Sequence, residues 1–141
     1  MGAKPTVLLA PHFRKLTEIF SASDLERLHS FSQVIWNKDD PLPDEQLETY
    51  LPEIWAYIGT GHNLDKSRLD RAPNLKAIIE VGGAFAKGID YETCFTRGIR
   101  VLSCAPAFGP QVAEMALTMM LAGARGLVAE HEAFRRNEEE W

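Results

Sequence analysis

Gly82 and Gly83 close an apolar run at 75–81 and stand where a strand would hand over to a helix. Adjacent glycines let the backbone approach a bound group closely, and their N–H groups can hold an anion such as a carboxylate. The plain alternative is a strand-to-helix turn. His62 follows another β-rich run, 55–58, and the turn Gly59-Thr60-Gly61. There it could contact a substrate or donate a proton, although a surface-loop histidine is the simpler reading because no sequence neighbour orients it. His12 and His131 have still less around them. Cys104 follows the run 99–103, but a nucleophile needs a positioned base, and a small buried thiol suits it better.

Other chemistries find no residues. Cys94 and Cys104, ten apart and without a Cys/His cluster, make neither a zinc site nor a disulfide framework and suit a reduced, cytoplasmic protein. No G-x-G-x-x-G occurs, because Gly59, Gly61, Gly82 and Gly83 do not have that spacing. Fifteen basic against twenty acidic residues leave a net charge of -5 with no basic stripe, which argues against a nucleic-acid partner. No apolar run reaches the roughly 18 residues a membrane span needs. The N-terminal apolar pentad is too short for a signal peptide.

Five β-rich runs must position these residues, at 6–10, 33–36, 55–58, 75–81 and 99–103. Helical stretches separate them. Ser23 with Glu26 has the spacing of a capping box ahead of Leu25, Leu28 and Phe31. Phe13, Leu16 and Phe20 mark a short amphipathic stretch before it. Asp39-Asp40 reads as turn chemistry. Asp44 and Asp65 are expected to cap two further helices. A fourth covers 90–96 and ends at Gly98, where glycine supplies the left-handed residue. Short connections and five alternations predict a parallel α/β sheet with helices on both faces and ligands beyond the strand C-termini.

The last stretch differs. Pro110 is placed for a first helical turn, and 111–136 reads as one long helix. Met115, Met119, Met120 and their neighbours leave almost no polar side through 128, so the helix needs covering all round. One five-stranded layer covers one face. The other calls for a further domain or a second subunit, and a homodimer is expected. Glu130 to Trp141 turn charged and read as a solvated helix end leading onward.

The motifs at 72–78 (A-P-N-L-K-A-I), Gly82-Gly83, Gly88-Ile89-Asp90, 97–101 (R-G-I-R-V) and Val112-Ala113-Glu114 come in one order. Together they resemble the D-isomer-specific 2-hydroxyacid dehydrogenases. Two departures stand out: the glycine loop runs one residue longer, and Gly88 replaces the usual asparagine. The resemblance implies a flavodoxin-like substrate domain, here 1–109, and a linking helix, 110–141, leading to a Rossmann domain outside this chain. It implies Gly82, Gly83 and Ala84 at the carboxylate of a 2-hydroxy or 2-oxo acid, and Val112 at the nicotinamide of NAD or NADP. The family's catalytic Arg, Glu and His come from the later domain, so the chain alone is expected to be inactive and to bind no dinucleotide tightly. The competing expectation is a free-standing flavodoxin-like module that dimerises through 111–136 and has no catalytic activity.

Overall fold

The computed structural model describes residues 3–11 and 14–138. His12, Phe13, Glu139, Glu140 and Trp141, which the sequence singles out, lie outside the described residues. Five strands form one parallel sheet: β1 (Thr6–Ala10), β2 (Gln33–Trp36), β3 (Ile54–Gly59), β4 (Ala77–Glu80) and β5 (Arg100–Ser103). Their order is β2-β1-β3-β4-β5. This is the flavodoxin-type winding, in which the chain reverses direction across the sheet between β1 and β3. The expected α/β sheet is present, and its strands fall on the five predicted runs.

Helices α1 (Leu16–Ile19) and α2 (Ala22–Phe31) pack on one face. There Leu16 and Leu28 close over Val7, Leu9 and Ala56. Helices α3 (Asp44–Tyr50), α4 (Lys66–Asp70) and α5 (Tyr91–Thr96) pack on the other. There Leu47, Leu69 and Cys94 close over Leu8, Tyr57 and Ile78. β1 contributes to both cores, which explains why its sequence is a continuous apolar run rather than an alternating one. The core over Val7 and Leu9 reaches only as far as Ala77, and Leu102 on β5 is 51% exposed.

Several helix ends differ from expectation. α2 starts at Ala22 and is capped by Ser21, whose Oγ accepts the Asp24 N–H at 3.2 Å. Ser23 is thus already inside the first turn and cannot cap it. Pro43, not Asp44, is the N-cap of α3, and Asp44 and Glu45 place negative charge in its first turn. Asp65 and Asp90 do cap α4 and α5. Gly98 takes the left-handed conformation beyond α5, with φ of 67°. The turn at Asp39 is left-handed too, and its carboxylate accepts the Leu16 N–H at 2.8 Å, so it caps α1 from a distance.

The chain forms two compact units, 1–105 and 106–141. In the second unit, α6 (Ala105–Ala124) begins five residues before the predicted start, so Pro110 lies inside the helix. A proline there removes one backbone hydrogen bond and crowds the residue before it, but that residue is Gly109, whose missing side chain relieves the clash. Nor is the apolar segment one helix. It breaks at Gly126, with φ of 62°, and continues as α7 (Leu127–Arg136) at 58° to α6. Only glycine enters that conformation freely. No residue of α6 is buried. No single helix among the described residues is long and apolar enough to cross a membrane, although the bent pair together has the composition.

Candidate functional site

The C-terminal ends of β1, β3 and β4 come together by strand pairing. Thr60 N–H donates to the Ala10 carbonyl at 3.1 Å, and Val81 N–H to the Gly59 carbonyl at 3.2 Å. His62 and the loop from Gly82 to Ala84 therefore leave from the same edge of the sheet, beyond adjacent strands.

His62 is oriented after all. Its Nε2 lies 2.8 Å from the Leu42 carbonyl and its Nδ1 2.9 Å from the Tyr57 hydroxyl. A carbonyl only accepts, so Nε2 carries the proton and Nδ1 accepts from Tyr57. Both nitrogens are engaged, and contact with a substrate would cost one of these bonds. Tyr57 itself is buried at 2% exposure. Burial, and after it the negative charge of Glu80, pushes its phenol well above the usual 10.0.

Arg68 on α4 braces this region from below. It reaches Glu48 Oε1 at 2.7 Å and Asp44 at 3.2 Å on α3, and donates to the Asn63 carbonyl at 2.7 Å. Glu48 Oε2 has a second charge partner, Arg71, at 2.6 Å, although that contact is not aligned as a hydrogen bond. Asn63 in turn lies against Gly88: a Cβ there would stand 2.1 Å from Asn63 Oδ1 and 3.2 Å from its Cα. Glycine at 88 is thus a packing requirement. Leu64 pairs with Ile89 as an isolated parallel bridge, so the segments after β3 and β4 are stitched together.

The glycine loop holds a feature that the sequence alone did not reveal. Glu80 ends β4 with its side chain buried, at 4% exposure. Its Oε1 accepts the Gly82 N–H at 3.0 Å. One N–H of the expected carboxylate cradle is therefore engaged by a carboxylate of the chain itself. Gly83 and Ala84 are exposed. Strand alternation offered a clue, since Glu80 shares the inward face with Ile78. Phe85, next in the loop, meets Tyr91 edge to face, and Tyr91 O–H donates to the Ala86 carbonyl at 2.5 Å.

The remaining candidates gather no chemistry. Burial raises the Cys94 thiol above its usual 9.0, which makes it less reactive. Cys104 is partly buried. Among the described residues, no group of three His, Cys, Asp or Glu side chains could hold a metal. A groove of about 450 Å³ runs between α4 and α5, lined by Lys66, Asp70, Asp90, Glu92 and Arg97 among others, away from the glycine loop. Its open floor and mixed charges do not converge on one reacting point, so the glycine loop remains the better candidate. Val112 is on α6 in the second unit and is 65% exposed.

No protein-family model and no curated protein matches the chain. Solved structures do. A phosphoglycerate oxidoreductase from Rhizobium etli is 31% identical with a TM-score of 0.73, over 98% of this chain and 42% of that one. A 2-hydroxyacid dehydrogenase from Ketogulonicigenium vulgare is 25% identical with a TM-score of 0.64, over 96% and 40%. Over nearly its whole length the chain is thus similar to 2-hydroxyacid dehydrogenases. A 3-phosphoglycerate dehydrogenase from Entamoeba histolytica, solved with NAD+ bound, matches at 18% identity and a TM-score of 0.58, over 86% and 39%, and shows the shared fold alone. The chain spans about two fifths of the length of these dehydrogenases.

Among the described residues, no glycine loop has the form of a dinucleotide phosphate site. Gly59 ends β3, Gly61, Gly82 and Gly83 lie just beyond strand ends, and none of them opens a helix with the spacing that brings backbone N–H groups onto a pyrophosphate. Gly82 gives its N–H to Glu80 instead.

Proposed function

We propose that this chain supplies the substrate-binding portion of an NAD(P)-dependent oxidoreductase that interconverts a 2-hydroxy acid and a 2-oxo acid. The likeness over nearly the whole chain to 2-hydroxyacid dehydrogenases of more than twice its length carries this reading. Its own residues bind and orient. Gly83 and Ala84, with Gly82 at the margin, offer backbone N–H groups to the substrate carboxylate. His62 borders that cleft as a polar contact. Val112 faces the nicotinamide of NAD or NADP, which is held by a dinucleotide domain. Hydride transfer and proton transfer fall to groups of that domain, and no step of either is assigned to this chain.

In this reading the exposed apolar surface of α6 is what the dinucleotide domain and a second subunit cover, giving a cytoplasmic homodimer without nucleic-acid or membrane partners. Alone, the 141 residues bind NAD or NADPH no tighter than the millimolar range and turn over no 2-hydroxy acid. Calorimetric titration with both dinucleotides, followed by an absorbance assay at nicotinamide wavelengths, tests this. A measurable dehydrogenase rate from the purified chain overturns it. A monodisperse dimer that unfolds cooperatively would favour the competing, non-catalytic module.

A further inference from the structure

Glu80 is one of two buried polar or charged side chains among the described residues, the other being Ser32. Ser32 spends its hydroxyl on the Leu28 carbonyl inside its own helix end. Glu80 instead stands at the sheet's C-terminal edge, where its Oε1 takes the Gly82 N–H. Its charge reaches further: after burial itself, it is what raises the phenols of both Tyr57 and Tyr91. A glutamine or serine could accept the same N–H without the cost of burying a carboxylate. Tying off the turn therefore does not account for the choice of an acid, whereas an effect on a bound ligand does.

We infer that Glu80 sets the charge class of the acid that the glycine loop accepts. It admits a monocarboxylate whose remaining substituent is neutral or donates a hydrogen bond, and it turns away one that carries a second anionic group. This rests on the glycine-loop reading proposed above. An acid held on the Gly83 and Ala84 N–H groups sits one or two residues from Gly82, and a residue step is about 3.8 Å. The acid thus lies within roughly 10 Å of the Glu80 carboxylate, about one Debye length, at a partly desolvated site where screening is weak. Every substrate pays the repulsion of its first carboxylate. Only a dianion pays again.

The test titrates the ¹⁵N-labelled chain with D-glycerate and with 3-phospho-D-glycerate, following the Gly83 and Ala84 amide resonances in the native protein and in Glu80→Gln. The variant keeps an acceptor for Gly82. The native chain should prefer glycerate by about tenfold, and Glu80→Gln should lower that ratio at least threefold, roughly the loss of one charge repulsion at this range. A native ratio below about threefold, or a ratio that the substitution does not lower, overturns the role of Glu80 and leaves the loop reading standing. If neither acid moves those amides in either protein, the loop reading itself fails and this inference falls with it.

Discussion

The Tyr57 hydroxyl donates to His62 Nδ1 at 2.9 Å, while His62 Nε2 donates to the Leu42 carbonyl at 2.8 Å. One imidazole thereby joins β3, the loop that follows it and the segment ahead of α3. Tyr57→Phe leaves Nδ1 unpaired, and His62→Ala leaves the buried hydroxyl only the longer contact to the Thr60 carbonyl, at 3.4 Å. Each should cost about 1 kcal/mol in urea unfolding. Because both remove the same bond, the double variant should cost less than the sum. Strict additivity would show that the clamp is not an energetic unit.

Gly59 lies directly over this clamp. A Cβ there would stand 2.3 Å from the Ala10 carbonyl oxygen and 2.8 Å from the Tyr57 hydroxyl. The first of these is backbone in the central strand pair and cannot move aside. Gly59→Ala should therefore destabilise by about 2–3 kcal/mol. Gly98→Ala meets no atom within 4 Å but must hold a φ of 67°, and should cost about 1 kcal/mol through backbone strain alone. Thermal unfolding of the two variants checks the order, and a harmless Gly59→Ala would contradict the packing described.

Alkaline pH should weaken the fold. Tyr57 is held above its ordinary 10.0 by burial and then Glu80, and Cys94 above its ordinary 9.0 by burial and then Asp90. Both groups keep their protons in the folded state when the unfolded chain has already lost them. Stability is therefore complete below about pH 9 and falls as pH rises past the unfolded values. Urea midpoints measured from pH 8 to 11 should decline from about pH 9. Cys94→Ala should delay the onset, whatever it costs in packing.

Acid acts through Asp90. Its carboxylate accepts from Thr93 N–H at 3.0 Å and Thr93 Oγ1 at 2.8 Å, which together hold it below the usual 3.8. A depressed carboxylate adds stability that is present above the unfolded value and is lost as pH falls through the folded one. Below about pH 4 the native chain should lose more helical signal than Asp90→Asn, which has no carboxylate to titrate. Parallel acid titrations by circular dichroism would refute this if the two curves coincide.

Leu117 and Met119 on α6 are 56% and 67% exposed. An apolar surface of that extent associates in water. The purified chain should elute above its 15.8 kDa monomer mass in size-exclusion chromatography with light scattering. Replacing Leu117 and Met119 together by lysine should return it toward monomer. A native chain that is monomeric at tens of micromolar would run against the expectation.

Much of the fold was legible because its signals are local. A strand buried on both faces must be an unbroken apolar run, and 6–10 matched β1 residue for residue, while the β-rich edge run 33–36 matched β2. Asp65 announced its helix because a cap acts on an N–H only three residues away. Local signals failed where two neighbours could do the same job. Ser21 and Ser23 both can cap, and only the start of α2 at Ala22 decides between them. Pro110 could open a helix, but Gly109 lets it sit within one, so α6 begins earlier at Ala105. Gly126 was visible, yet its left-handed turn was not, because glycine permits that conformation without requiring it.

The glycine loop divides along the same line. Its place at the end of β4 follows from the order of apolar runs and turn residues alone. What the loop can bind does not. The Gly82 N–H is engaged by Glu80 because strand alternation turns that side chain inward, and His62 is aimed by Leu42, twenty residues upstream. Sequence spacing carries information about partners within a turn or two of chain. Contacts between the ends of adjacent strands depend on which strands pair and in what register, and only the assembled sheet settles that.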